Sequence, residues 1–588
     1  MKQIIKYMNK FKSSAILSII LTVVNNGMQL LLPAMMSLII NNGIAAGTDG
    51  GGIDYIKKIG SYMIFASFTA LVIASFSSYF SSKASAGFSM ELRRAVFVKI
   101  ESLSQSDIDR ISTSSLITRS TNDVRQIENM LLTCMRMLMS SVIMLIGGTV
   151  MAFTLNKVLA GVLFCVVPII LVLAMVIMKK IIPMYDTVQK YTDELNRVLR
   201  EKISGIRVIR AFNKTEYEDK RFKSANDTLT MFMLRINKIY ALLIPVGSLL
   251  LISVIALLVF LNAKQIEAAD ISTPAAQELI ANTVGNLQAF IIYVLLIIAS
   301  ITMAASMYVF IPKAMISVNR INEVLNCEPV VKDAESPALF SINNVVEFKE
   351  VSFSYSDGTD ILNNISFTAA PGEVTAIIGG TGSGKSTIIN LIPRFYDVTD
   401  GEIIVGGENI KNIPQKLLRE RIALIPQQAV LFSGTIADNL RFGKEDATEE
   451  EMWEALEIAQ AKDFVKALPD GLESYVSQGG KNLSGGQKQR LAIARAIIKK
   501  ADIYIFDDSF SALDFKTDAL LRKALRKALK NSTLIIVAQR IGTIIDADKI
   551  VVLDEGQAIG IGTHKELSEN CSEYIEIMQS QLSTEDLA

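Results

Sequence analysis

The residues with the clearest chemical purpose are Gly379-Gly380-Thr381-Gly382-Ser383-Gly384-Lys385-Ser386-Thr387. They fit G-x-x-x-x-G-K-[ST], a loop whose backbone N–H groups turn towards phosphate oxygens because its glycines accept conformations that other residues resist. Lys385 is placed to reach the β- and γ-phosphates of a nucleotide, and Ser386 to ligate Mg²⁺. The motif needs a strand before it and a helix after it. Val374-Thr375-Ala376-Ile377-Ile378 is an apolar, β-rich run that reads as a buried strand. Ile388-Ile389-Asn390-Leu391 reads as the start of a helix, whose N-terminal dipole favours an anion.

Around this loop the chain divides by composition. Its 588 residues have room for roughly three to four domains on a length prior. Lys plus Arg and Asp plus Glu number 59 each, so nothing in the balance points to nucleic acid. Half of the residues are hydrophobic and mean hydropathy is +0.36, with the excess before residue 325. Six apolar segments lie near 15–41, 59–82, 136–155, 158–182, 239–263 and 287–311. Each has the length of about 20 residues that a helix needs to cross the hydrocarbon of a lipid bilayer. Asn156-Lys157 makes the third and fourth a hairpin. The early apolar run is too long for a secretory signal and lacks a small-residue cleavage site, so it reads as a retained span.

The loops after the second and fourth spans are long, basic and helical in pattern. One carries Arg93, Arg94, Lys99, Arg110 and Arg119; the other carries Lys179, Lys180, Arg197, Arg200, Lys202, Arg207 and Arg210. The positive-inside rule places both loops and both termini in the cytoplasm, Lys57 and Lys58 in the first connection being exceptions to the charge bias. Lys2, Lys6, Lys10 and Lys12 alternate with Ile4, Ile5, Tyr7 and Phe11, which suggests an amphipathic helix on the inner leaflet. Asn25, Asn26 and Gln29 sit within the first span, Asn25 and Gln29 on one face. They either line a substrate path or hydrogen-bond between helices. Met135, Met137, Met139, Met144 and Met151 enrich the third span and read chiefly as adaptable filling. Cys134, Cys165, Cys327 and Cys571 fit neither a zinc site nor a disulfide framework and read as free thiols.

This yields a transmembrane domain over residues 1–325, a Pro-bearing, aperiodic linker over 326–344, and an α/β domain over 345–588 in which short strands alternate with helices around a largely parallel sheet.

Within the last domain, Leu483-Ser484-Gly485-Gly486-Gln487 lies about a hundred residues after the phosphate loop, and Ile503-Tyr504-Ile505-Phe506-Asp507 is an apolar run ending in a carboxylate. With six spans before them, these motifs make the chain resemble a half-transporter of the ATP-binding cassette (ABC) exporters. Ser115-Leu116-Ile117-Thr118-Arg119-Ser120-Thr121-Asn122-Asp123-Val124 resembles that family's first intracellular loop, and Gly205-Ile206-Arg207-Val208-Ile209-Arg210-Ala211-Phe212 its second. The resemblance implies a six-helix membrane domain and a P-loop ATPase domain with an antiparallel β subdomain. It implies ATP and Mg²⁺ as cofactors. Tyr355 then stacks on adenine, or is simply a core strand tyrosine. Gln427 takes the Q-loop place near Mg²⁺, Asp507 holds Mg²⁺ through water, and Ser511-Ala512-Leu513-Asp514 forms the D-loop. Ser484, Gly485, Gly486 and Gln487 reach an ATP held by a second cassette.

Two positions depart from the family. After Asp507 the family has glutamate, which polarises the attacking water; this chain has Asp508, shorter by one methylene. The family's switch histidine is Gln539 in Val537-Ala538-Gln539-Arg540, which can donate a hydrogen bond but carries no charge. The sole histidine, His564, reads as a surface residue. Gln478 stands where exporters often have glutamate, with no clear consequence. The pattern resembles the degenerate subunit of heterodimeric multidrug-type exporters, in which a second, non-identical half-transporter supplies glutamate and histidine. A slow homodimer and a nucleotide-gated regulator or channel are the alternatives. Cargo is expected to be a hydrophobic or amphipathic small molecule, lipid or peptide. No peptidase domain precedes the spans, which weakens a leader-peptide exporter, and no charged residue stands out at mid-membrane.

Overall fold

The computed structural model describes residues 2–44, 52–155, 157–267, 274–334, 344–355, 358 and 360–581. The chain forms two compact units: Met1–Glu101 with Thr113–Cys327, and Ser102–Ser112 with Glu328–Ala588.

The first unit is built of long helices. Lys12–Leu38, Gly52–Glu101, Met139–Leu155, Lys157–Ser204, Thr215–Glu267 and Pro274–Asn326 are helices that overlap the six apolar segments. Among described residues, four helical stretches are long and apolar enough to cross a bilayer: Gln3–Ile44, Gly52–Glu101, Thr113–Leu155 and Thr283–Ala304. The apolar stretch described for the fifth, Leu251–Lys264, is shorter. Many side chains of the fourth, with Asn156, Cys165 and Lys180, lie outside the described residues.

Lipid tails are as apolar as leucine, so membrane helices associate through close packing and polar contacts. Lys12–Leu38 turns Ser18, Thr22, Asn26 and Leu30 inward at four-residue spacing. The Gly52–Glu101 helix answers with buried Ser77, Ser81, Ala84 and Ser85. Thr22 and Ser77 share a hydroxyl bond of 2.8 Å, and Ser140 Oγ donates to Asn26 Oδ1 at 2.8 Å. Tyr293 Oη donates 2.7 Å to the Leu30 carbonyl. The three polar residues of the first span therefore separate: Asn26 is a helix–helix contact, and exposed Gln29 is not. Met135 and Met144 are buried filling. The N-terminal segment is helical, α over Lys2–Ile5 and 3₁₀ over Lys6–Phe11, with Ile5 exposed. Ile4 is buried, and a Cβ at Gly87 would strike the Phe11 ring, so these two apolar residues cover protein surface.

In the first intracellular segment, buried Arg119 bonds Glu323 (2.8 Å), the Arg320 carbonyl (2.9 Å) and Ser115 Oγ (3.2 Å). Ser317 Oγ donates to buried Asp123 at 2.7 Å. These ties lock the segment to the end of the last long helix.

Among the described residues, the second unit holds twelve strands in three sheets. In chain order they are β1 (Val346–Ser354), β2 (Asp360–Ala369), β3 (Val374–Gly379), β4 (Asp400–Val405), β5 (Glu408–Asn409), β6 (Ile422–Ile425), β7 (Gly434–Thr435), β8 (Tyr475–Val476), β9 (Ile503–Asp507), β10 (Thr533–Val537), β11 (Lys549–Asp554) and β12 (Gln557–Gly562). The main sheet has the order β12-β11-β3-β10-β9-β6, parallel except for β12. Its inner strands β3, β9 and β10 are mostly apolar, as burial on both faces demands, with Thr375, Thr533 and the terminal Asp507 as exceptions. A smaller antiparallel sheet runs β2-β1-β4-β5, and β7 pairs with β8.

Ser102–Ser112 belongs to this unit. Its Gln105–Ile111 helix is capped by Ser104 and Asp107, Asp107 also accepts from Val330 N–H, and Tyr396 Oη donates to Asp109. The described part of the expected linker is likewise held: Arg394 donates to the Lys332 carbonyl and Gln415 N–H to Asp333. Residues 335–343 lie outside the described residues.

Replacing Arg119 by alanine removes a buried guanidinium together with its bonds to the Arg320 carbonyl, Ser115 and Glu323, so a loss of about 2 kcal/mol is expected. Glu323→Gln, at a mostly exposed partner, should cost less than about 1 kcal/mol. Thermal unfolding of the detergent-solubilised protein checks the order of the two.

Candidate nucleotide site

Strand register brings the sequence motifs to one edge. Val537 lies opposite both Asp507 and Ile377, and Ile425 opposite Phe506. The chain leaves β3 into the phosphate loop, β6 towards Gln427, β9 at Asp507 and Asp508, and β10 towards Gln539. All four exits lie at the carboxyl ends of parallel strands, where ligands bind in open α/β sheets.

The loop's conformation explains its glycines. Gly382 and Gly384 have φ of +85° and +97°. A Cβ on Gly384 would meet Leu362 at 2.5 Å, and one on Gly379 the Leu553 carbonyl at 2.1 Å. Gly380, Thr381, Gly382 and Ser386 are exposed, whereas Ser383 and Thr387 are buried. Lys385 Nζ curls back to the carbonyls of Gly379 (2.8 Å) and Gly380 (2.5 Å) and to Ser383 Oγ (3.2 Å). Burial pulls its pKa below the ordinary lysine value, and Asp508 and Asp507 oppose that shift. Burial, followed by the neighbouring Asp508, pushes the Asp507 carboxyl above its ordinary range, with Lys385 opposing.

Asp508 is buried and has φ of +43°, a conformation that costs a non-glycine residue about 1–3 kcal/mol. Its N–H bonds the Val537 carbonyl at 2.9 Å. Gln427 Nε2 approaches its Oδ2 at 3.4 Å. Buried Ser509 donates to the Ile425 carbonyl at 3.0 Å and so ties this turn to the end of β6. Tyr355 Oη lies 3.3 Å from Thr387 Oγ1, and its ring meets Phe353 and Tyr396 edge-on. It is thus half-buried beside the phosphate-loop helix. Gln539 is exposed, and its backbone is gripped by Gln581, which donates to the Gln539 carbonyl (2.7 Å) and accepts from Ile541 N–H (2.9 Å). Nothing in the sequence signals this clamp, since a glutamine near a chain end has no motif.

Ser484 and Gln487 form a reciprocal cap on the Gly485–Ile498 helix: Ser484 Oγ accepts from Gln487 N–H and Gln487 Oε1 from Ser484 N–H. Ser484 and Gly485 are exposed, and a Cβ on Gly486 would press on the Ala512 carbonyl of the D-loop at 3.2 Å. Gln478 is exposed. His564 is not the free surface residue expected: it is half-buried, with Nδ1 2.8 Å from the buried Tyr574 hydroxyl. Among described residues no group of three or more His, Cys, Asp and Glu is placed to hold a metal ion.

The model for the ABC transporter transmembrane region matches residues 15–301, and the ABC transporter model matches 362–511. An uncharacterized ABC transporter ATP-binding protein of Mycobacterium tuberculosis is 37% identical over 583 residues, covering 98% of this chain and 97% of that protein. The chain belongs to the ABC transporter family. YfiB, an uncharacterized ABC transporter ATP-binding protein of Bacillus subtilis, is 33% identical over 100% of this chain and 99% of its own length. An ATP-dependent lipid A-core flippase of Syntrophus aciditrophicus is 32% identical over 84% of this chain and 80% of its own. A solved bacterial Atm1-family ABC exporter with ATP bound matches with a TM-score of 0.80 at 24% identity, over 97% of this chain and 99% of that one, which establishes the fold. This ABC transporter is a half-transporter, with the transmembrane region and nucleotide-binding cassette in one chain.

The residues present fit a nucleotide: turned glycines, a half-desolvated cation and an aromatic ring share one sheet edge. Asp507 sets a pH test. Its raised pKa means that ionising it in the folded chain opposes folding, so stability falls as pH rises from the ordinary carboxylate range through the Asp507 pKa. Without nucleotide, Asp507→Asn should therefore melt higher than the parent at pH 7, with the gap closing in acid. With Mg-ATP the order should reverse. Melting curves with and without nucleotide decide it.

Proposed function

We propose that this chain is one half of an ATP-driven exporter and works with a non-identical half-transporter. The observation that carries this reading is the pair Asp508 and Gln539 at a sheet edge that is otherwise complete. Tyr355, the 379–387 loop, Asp507 and Gln427 would hold ATP. Mg²⁺, when bound, neutralises phosphate charge, and Ser386, Asp507 and Gln427 are the residues to hold it. Catalysis of phosphoryl transfer is mostly positioning and charge stabilisation. Asp508 brings its carboxylate short of a glutamate's reach, and Gln539 offers a neutral amide where a cation would be worth more. This chain's own site then grips nucleotide longer than it hydrolyses it.

Ser484 and Gly486, on an exposed and intact signature, serve the other cassette. The Ile206–Ala211 helix also favours a second chain: Val208 and Phe212 are 60% and 72% exposed, an apolar end on a cytoplasmic extension. Closure of the two cassettes would be passed to the spans by the intracellular helices, turning a cytoplasm-facing cavity outward. Hydrolysis at the site containing the partner's glutamate resets it. The flippase relative favours lipids among the cargo classes considered.

A homodimer is the second reading, favoured by one observation: Asp508 keeps a carboxylate, held at 3.4 Å from Gln427. Both readings answer to one measurement. The isolated chain should bind ATP with little turnover, and Asp508→Glu combined with Gln539→His should raise turnover on the order of a hundredfold. Brisk hydrolysis by the unmodified chain alone would favour the homodimer. Replacing the glutamate of a co-purified partner half-transporter should silence the complex.

A further inference from the structure

The membrane half contains a second built site. A cavity of about 430 Å³ is lined by Thr22, Asn25, Ser77, Ser78, Arg136 and Ser140, among others, and none of its lining residues is acidic. The walls come from the Lys12–Leu38 and Gly52–Glu101 helices, the Thr113–Leu155 stretch and the Pro274–Asn326 helix.

Two groups here lack what their chemistry requires. Arg136 has five N–H donors and a permanent charge, and among described residues nothing forms an ion pair or side-chain hydrogen bond with it. Asn25 Oδ1 is buried without a donor. Their neighbours are not in that condition, since Thr22 and Ser77 bond each other and Ser140 bonds Asn26. Arg136 also sits inside a π-helical turn, Cys134–Leu138, a widening that is uncommon in helices and often accompanies functional side chains. A cation at the edge of the hydrocarbon is kept at a cost and generally has a counter-ion.

Depth narrows the ligand. Thr22 lies seven residues into the first apolar run, Ser77 five residues from the end of the second, and Arg136 opens the third. At about 1.5 Å per residue, the cavity reaches roughly 10 Å inward from the cytoplasmic boundary. That is where an amphiphile keeps its head while its tail enters the hydrocarbon. Met137 and Met303 complete the lining with adaptable apolar surface.

We propose that this cavity receives the anionic head of an amphiphile, a phosphate or carboxylate on an apolar chain. Arg136 is the counter-charge, the Ser78 hydroxyl is a donor, and Asn25 Oδ1 accepts from a hydroxyl of the head. This rests on the export reading and names its cargo class. Arg136 is the charged residue near membrane depth that hydropathy placed at the margin of a span.

The test is equilibrium binding of radiolabelled dodecyl phosphate to the full chain in phosphatidylcholine nanodiscs. Saturable binding is expected, weakened about tenfold or more in Arg136→Gln, the worth of one charge-assisted hydrogen bond. Arg136→Lys should retain most of it. Excess dodecyltrimethylammonium should not compete, and inorganic phosphate should compete only weakly. Unchanged affinity in Arg136→Gln overturns the proposal, as does equal competition by the cationic amphiphile; equal competition by inorganic phosphate removes the amphiphile from it. ATP binding by Arg136→Gln serves as the folding control. Because binding is read without turnover, the two readings fail separately: a complex with its partner half-transporter that binds the probe and hydrolyses ATP but moves none of the probe across a vesicle membrane leaves the site standing and fails the export reading.

Discussion

Like charge held close at the end of a parallel sheet is the constraint on which the cassette depends. Asp507 and Asp508 are successive residues at the end of β9, and Lys385 is the cation both lean on. All three are at least partly withdrawn from water, and an ion so placed is costly without compensation. Here Lys385 donates to two carbonyls and a hydroxyl. The arrangement is tolerable because β3, β6, β9 and β10 are buried apolar strands whose register cannot slip without exposing them. The sheet supplies the stability from which a strained turn at Asp508 and a half-desolvated lysine are held. Stability and ligand recognition are opposed at this edge, as is common where binding needs preorganised charge.

The same view explains what was legible beforehand. The phosphate loop could be read because its chemistry needs glycines at fixed steps, and the positive φ at Gly382 and Gly384 shows the need. The alternation of apolar strands and helices foretold a parallel sheet, although its order came only from pairing. Ser484 and Gln487 are visible as a signature, yet within this chain they are also a helix cap, a second reason for the same two residue types. Gln581, Ser509 and Tyr396 carried no signal, because each acts through one hydrogen bond to a residue distant in sequence. His564 was misjudged for the opposite reason: a lone polar residue near a chain end looks solvated until its partner, Tyr574, is folded against it.

In the membrane half, hydropathy reports length and apolarity but not which face a polar residue takes. Asn25 and Asn26 are adjacent in sequence and separated in space by about 100° around the helix. One is spent on Thr22 and Ser140; the other faces a cavity. The small residues Ser77, Ser81, Ala84 and Ser85 form no motif, yet their size lets two backbones approach closely enough for hydroxyls to reach across.

The proposed reading, in which binding chemistry is kept and hydrolytic chemistry is weakened, is physically coherent because the two would reside in different atoms. Loop N–H groups, Lys385 and the Tyr355 ring act on the nucleotide's ground state, whereas a general base and a switch cation act chiefly in the transition state. Substitutions confined to the second set lower turnover without lowering affinity. In the proposed reading Asp508 and Gln539 stand at the positions of the second set, and both are polar, so the edge of the sheet need not reorganise. A nucleotide held at such a site contributes its differential affinity for the closed cassettes for as long as it stays bound. One slow site can therefore bias a two-chain machine towards closure while the other site sets its rhythm.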